Sequence, residues 1–334
     1  MTALLRSFSF SFISTIAVIL VSLYYLGWQA LFPLLILIVI EITFSFDNAI
    51  VNAQILKKMP RIWQQLFLSV GIIIAVFGMR LVFPILMVAL TAHLPWHEVL
   101  DLALNHPQQY AHELELANPT LTSFGGAFLL MLTLHFFMAE NKEHHWLEPF
   151  ERPLQRMGRW WLPPVITVTV IGLVAALPFN HHADETLKAG LVGTLVYVVL
   201  HGIMMLIGKT TSKTSKLAHY TGGAAAVMFL YLEILDASFS LDGVIGAFAI
   251  TSDVVLIAAG LGAGALWVRS LTVHMVRHGT LDAYRFLEHG AHYAIAALAA
   301  SMLVSAFFHV PEAVIGIVGV GLILASLVTS IKRL

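Results

Sequence analysis

The feature that most constrains this chain is a series of ten apolar stretches, each long enough to cross roughly 30 Å of hydrocarbon as a helix. They run near 8–28, 31–53, 66–92, 121–140, 160–179, 187–208, 222–248, 252–275, 288–307 and 311–331. Backbone polar groups find no partner in lipid, so stretches of this length read as helices, and the chain reads as an all-α polytopic membrane protein. Composition agrees, with 59% hydrophobic and 11% charged residues, where a soluble domain carries about 25% charged. A formal net charge of −1 gives no sign of a nucleic-acid partner. The absence of cysteine excludes disulfides, thiolate metal sites and thiol nucleophiles. The first stretch is too long for a signal-peptide core and lacks a small-residue cleavage site, so it is expected to be retained.

The basic residues test the span count independently, because cytoplasmic loops retain Lys and Arg. Arg6, Lys57, Lys58, Arg61, Lys142, Arg152, Arg156 and Arg159 fall in the N-terminus and in loops after even-numbered spans, and Lys209, Lys213, Lys216, Arg277, Arg285, Lys332 and Arg333 continue the series. Lys188 lies in an opposite-side loop, and Arg80 and Arg269 lie inside spans. The expectation is a bacterial inner-membrane protein with both termini cytoplasmic.

An internal repeat organises the chain. Glu41-Ile-Thr-Phe-Ser-Phe-Asp47-Asn48-Ala-Ile recurs as Asp236-Ala-Ser-Phe-Ser-Leu-Asp242-Gly243-Val-Ile. Each copy is followed by a helix in which a glycine precedes an arginine by nine residues, Gly71 with Arg80 and Gly260 with Arg269. Each half then closes on a proline-opened span, at Pro163-Pro164 and at Pro311. The chain therefore reads as five spans plus five, residues 1–180 and 181–334. An odd number of spans separates the copies, so they should cross in opposite directions, the inverted repeat of many secondary transporters.

Glu41, Asp47, Glu233, Asp236, Asp242, Arg80 and Arg269 all lie within spans. Facing lipid, they would cost on the order of 17–25 kcal/mol at about 2.5–3.5 kcal/mol each, more than the roughly 5–15 kcal/mol stability of a fold. They must face one another or a wet cavity. One reading pairs Arg80 with Asp47 and Arg269 with Asp242 as helix locks. Even so, five acids and two arginines leave about three carboxylates needing protons or a cation. At 100° per residue Glu41, Ser45 and Asn48 share a helical face, as do Glu233, Asp236 and Ser240, while Asp47 and Asp242 point elsewhere. Asn48 and Gly243 tolerate left-handed backbone, so breaks are expected at Asp47-Asn48 and Asp242-Gly243, freeing carbonyls as further ligands. The alternative is an unbroken helix with Gly243 packed closely. An all-oxygen donor set suits magnesium, calcium or manganese.

The segments FSFDNAIV at 44–51, LEILDASFSLDGVIGAFAI at 232–250 and FLEHGAHYAI at 286–295 resemble the TerC family of integral membrane proteins associated with tellurium resistance, in its longer branch. The resemblance covers about residues 30 to 330. It implies a place among LysE-like transporters and, as for several members, manganese export, with Glu41, Asp47, Asn48, Asp236 and Asp242 as metal-site residues. Tellurite, an anion, does not suit an acid-rich pathway.

Weaker features surround this core. Glu288, His289 and His292 have helical spacing suited to a metal or proton site, or to ordinary interfacial contacts. His93, His97, His106, His112, His181 and His182 stand in outer loops beside acidic residues and read as a solvated face. Gly208-Lys209-Thr210 is not a phosphate loop, since no glycine stands at the required upstream position and no strand precedes it. No hydrolase signature appears, so an enzyme is not expected. Two functions remain. One is a secondary transporter exchanging a divalent metal ion, manganese foremost, for protons, with no bound cofactor. The other is a non-transporting membrane subunit or scaffold of a metal-stress complex.

Overall fold

The structure is a computed structural model that describes residues 2–140, 142–211, 222–305, 307–308 and 310–332. Every regular element among them is helical. In chain order these are α1 (Thr2–Leu26), a 3-10 turn (Trp28–Ala30), α2 (Leu31–Phe44), α3 (Phe46–Leu56), α4 (Arg61–Phe67), α5 (Val70–Ile73), a π-helical segment (Ile74–Val82) and α6 (Phe83–Thr91). There follow α7 (Trp96–Asn105), α8 (Pro107–Phe137), α9 (Glu148–Arg156), α10 (Leu162–Ala175) and α11 (Ala183–Thr211). The chain ends with α12 (Gly223–Ala247), α13 (Val254–His278), α14 (Thr280–Ala283), α15 (Leu287–Val304) and α16 (Glu312–Lys332). Lys213, Lys216 and Arg333, expected at the cytoplasmic face, lie outside the described residues.

Seven helical stretches among the described residues are long and apolar enough to cross a membrane, or eight if the bent pair α2 and α3 counts as one span. The chain is therefore a multi-pass helical membrane protein. Two of the ten expected spans fall short. Helix α10 has only 14 residues, about 21 Å at 1.5 Å per residue, and α15 is diluted by Glu288, His289 and His292. Large apolar side chains point outward around the rim, among them Leu20, Phe32, Leu90, Leu195 and Ile317. In water such a surface would aggregate; in lipid it is the solvated one. Helices α1 and α16 are mostly exposed, whereas α8 and α13 are mostly buried and form the centre.

Two sequence expectations are corrected here. The segment expected as an outer loop around residues 93–120 is largely helical, forming α7 and the first turns of α8. Pro107 opens α8 at a position where its missing N–H costs nothing. Tyr110, Leu114, Ala117 and Leu121 then repeat at helical spacing and bury against Val99 and Ala103 of α7. The helix breaks also differ from expectation. The first motif breaks at Ser45, two residues before Asp47, with a bend of 51°, and α12 runs unbroken through the second motif. Asn48 and Gly243 both sit within helices, and neither takes a positive φ.

The halves interlock. Helix α2 packs along α13, which follows the second motif, while α12 packs against the π-helical segment, which follows the first. Close approach on α13 depends on three glycines at alternate positions. A Cβ at Gly260 would lie 2.6 Å from Leu37 Cβ, at Gly262 2.8 Å from Val76 Cγ1, and at Gly264 2.5 Å from Glu41 Cβ. Small residues let helix backbones meet closely in a bilayer, where no hydrophobic drive pulls them together.

Candidate functional site

Where the interlocked helices meet, the structure gathers the ionisable groups in the interior. Glu41, Asp47, Glu233, Asp236, Arg80 and Arg269 are all buried. Arg80 pairs with Glu41, not with Asp47, through Nη2 and Oε1. Its other terminal nitrogen donates to the Ala75 carbonyl at 2.7 Å within the π-helical segment. Pro84 explains the widened turn, because its ring obstructs the carbonyl four residues earlier, that of Arg80, and it has no N–H to donate. Widened turns of this kind recur at functional sites.

Arg269 pairs with Glu233 at 3.0 Å and with Asp236 at 2.8 Å. It also donates to the Phe67 carbonyl at 3.0 Å and lies 4.2 Å over the Phe67 ring. Gly71 makes room for this arrangement, since any Cβ there would fall on Arg269 Nη1 and lie 2.8 Å from Glu233 Oε1. Glu41 and Asp236 hold the same place in the two motif copies, as Arg80 and Arg269 do in the helices that follow. The two acid–arginine pairs are thus the same pair made twice, with Glu233 an addition in the second half.

Among the described residues a direct hydrogen bond joins the copies. Asn48 Nδ2 donates to Asp236 Oδ1 at 2.7 Å. At the matching place in the other copy stands Gly243, whose Cβ, if present, would lie 3.8 Å from Glu41 Oε2. Asparagine therefore fills a space on one side that glycine leaves open on the other. The opening belongs to a cavity of about 70 Å³ lined by Glu41, Ser45, Asp47, Phe239 and Gly243, and bordered by α15 and α16. Ser45 donates to Glu41 Oε1 at 3.1 Å. The break at Ser45 starts a new helix whose first turn carries Asp47, so Asp47 lines the same cavity as Glu41, which a straight helix would not allow. Asp47 accepts the Asn48 amide at 2.8 Å and has no basic partner among the described residues.

Four buried carboxylates thus face two guanidiniums. Among the described side chains this leaves two negative charges, equal to one divalent cation or two protons. The side chain of Asp242 lies outside the described residues. Ser240 is buried on α12. No group of three or more His, Asp and Glu side chains among the described residues is gathered as a metal site. Glu288 and His292 belong elsewhere. His292 Nδ1 lies 2.8 Å from the Glu288 carbonyl oxygen, and its ring stacks on Phe136.

The neighbouring cluster holds a further buried ion pair. Lys142 and Glu151, in the segment after α8, lie 2.7 Å apart, with His289 Nε2 3.4 Å from Glu151. Burial alone would raise the Glu151 carboxyl, but the Lys142 ammonium and the Leu147 amide hold it below the usual range, helped by His289. Burial lowers the Lys142 ammonium. Sequence reasoning missed Gly264, whose signal was the alternate-position glycine run, and the close contact of Phe44 with Gly316.

A model of the family described as "Protein of unknown function (DUF475)" matches residues 46–334. No curated protein and no solved structure matches the chain.

Proposed function

The chain belongs to the DUF475 family, and we propose that this member is a secondary transporter of divalent metal cations, manganese foremost, driven by proton exchange through the buried carboxylates. The observation that carries this reading is the charge balance. Two negative charges in excess of the arginines, beside a cavity lined by Glu41 and Asp47, suit one divalent ion or two protons in turn. The oxygen donors available there are the Glu41 and Asp47 carboxylates and the Ser45 hydroxyl, a hard set that favours manganese, magnesium or calcium. In the state described, Arg80 occupies Glu41. Cargo entering the cavity takes Glu41 from Arg80, whose charge then serves the doubly acidic Glu233–Asp236 side. Protonation of Asp47 and Glu41 releases the ion.

In this reading the two halves form a ten-span inverted repeat, counting α10 and α15 and taking α2 with α3 as one span, with both termini cytoplasmic in a bacterial inner membrane. The TerC-like motifs point to the same class, and Asp242 is assigned to the site with its counterpart Asp47. One observation favours a second reading, a scaffold without transport. Each of Glu41, Glu233 and Asp236 already has an arginine, and no set of three ligands is gathered. Flux separates the two. Purified protein in proteoliposomes should move manganese against a proton gradient, and Asp47→Asn and Asp242→Asn should abolish movement while remaining folded. Normal flux in both variants would end the transport reading.

A further inference from the structure

The cavity holding Glu41 and Asp47 shares a wall with a second cavity. Ile40, Phe44 and Gly243 line both. The second cavity is far larger, about 810 Å³, and its other lining includes His112 and Glu115 on α8 and His181 and His182 before α11. A roomy chamber bearing imidazoles and a carboxylate thus lies one layer of side chains away from a small acidic one.

Of the three shared residues, Ile40 is held within α2 and Gly243 within α12, whereas Phe44 is the last residue of α2, beside the break at Ser45. On its α16 side the ring rests directly against Gly316, where any Cβ would overlap two ring carbons. An aromatic side chain at the end of a bent helix, resting on a glycine, can change rotamer without moving either helix.

We propose that Phe44 is the gate between the larger chamber and the acidic cavity, and that Gly316 is its seat. The nature of what passes rests on the transport reading; the gate itself does not. An ion that passes the gate exchanges shell waters for the Glu41, Asp47 and Ser45 oxygens that line the smaller cavity.

The chain has no cysteine, so single introduced thiols report access without background. Ser45→Cys and His112→Cys, each reconstituted in nanodiscs, are labelled with a small cationic methanethiosulfonate. With Phe44 in place His112→Cys should react fast and Ser45→Cys slowly. A gate open in about 0.1–10% of molecules implies that Phe44→Ala raises the Ser45→Cys rate about tenfold or more, with His112→Cys unchanged. Phe44→Leu, milder on the fold, should act in the same direction. Gly316→Ala, which unseats the ring, should do so too. Equal rates at both thiols with Phe44 present, or no change on truncating Phe44 in either variant, would overturn the gate. Manganese flux is read separately. A Phe44-dependent labelling rate without flux defeats the transport reading alone, and flux without Phe44 dependence of labelling defeats the gate alone.

Discussion

The two copies of the acidic motif start alike and then part. Thr43 and Ser238, equivalent in sequence, each return a hydroxyl hydrogen bond to the carbonyl four residues back, at 2.7 Å and 3.0 Å. Glu41 and Asp236 each meet the arginine that follows in the next helix. Two residues after Thr43 the first copy breaks, while the second continues straight through Ser240. The first copy has Asn48, a cavity and the unpaired Asp47; the second has Gly243 and the additional acid Glu233. One sequence pattern therefore supports two backbones in one molecule. The acid–arginine pair sets the anchor, and the residues around it set the bend. Of the two cavities, Phe239, the counterpart of Phe44, lines only the smaller, so the two copies of the motif stand in different surroundings.

The strongest way to break this comparison is to remove the arginines one at a time. Arg269→Leu leaves two buried carboxylates unpaired and Arg80→Leu leaves one. Removing one partner of a buried pair costs about 3–5 kcal/mol, and Arg269→Leu is expected at the upper end. Thermal unfolding in detergent checks the order. Equal losses would mean that the additional acid of the second half carries no charge. Next in size is Asn48→Gly, which makes the first copy resemble the second. It removes a hydrogen bond to a buried carboxylate, a loss of about 1.5–3 kcal/mol. The reverse change, Gly243→Asn, meets only Glu41 Oε2 at an ordinary contact distance. It should fold normally, offer Glu41 a donor and fill the cavity, so manganese binding measured by calorimetry should fall while the melting temperature holds.

The glycines sharpen the comparison further. Gly71→Ala and Gly260→Ala each overpack a tight contact, for about 1–3 kcal/mol, but by different routes. An alanine at 71 pushes on the Arg269 guanidinium and should disturb the ion pairs. An alanine at 260 meets Leu37 Cβ, close to the backbone, and should part α2 from α13 with both pairs intact. Crosslinking of paired cysteines on α2 and α13 distinguishes them, since only the second variant should slow it.

Much of this was legible in the sequence for one reason, that charge inside an apolar stretch must find a partner. The intraspan acids and the two arginines were read from the sequence as groups that must face one another, and Glu41, Glu233, Asp236, Arg80 and Arg269 do so. Which acid meets which arginine was not legible. Arg80 and Arg269 take the first acid of each motif because the π-helical turn before Pro84 and the seat beside Gly71 aim them there. Neither local spacing nor helical period encodes that aim. The break was misplaced for a similar reason. Asn48 and Gly243 are the residues most tolerant of left-handed backbone, yet the bend forms at Ser45, where Phe44 meets Gly316 some 270 residues away in the chain. Residues 93–120 were read as a solvated loop because of their histidines and acids. Their apolar positions at helical spacing carried the stronger signal.

The smallest expected effect concerns a feature of the first half alone. The segment after α8, residues 138–159, is held by the buried Lys142–Glu151 pair, with His289 of α15 facing it. The corresponding connection in the second half, between α15 and α16, is much shorter. Glu151 is held below its ordinary range. Between its folded value and the ordinary 4.5 the unfolded segment therefore binds more protons, and the segment gains stability as pH rises through that window. The Lys142 ammonium is also lowered, so a second window, ending near the ordinary 10.5, has the same sign. Limited proteolysis of this segment should slow as pH rises through each window and stay level between them, while cleavage between α15 and α16 should follow neither. Glu151→Gln should abolish the acid window and leave the alkaline one. If both windows vanish in that variant, the segment is held by the ion pair as a single unit, and burial of Lys142 has no separate effect.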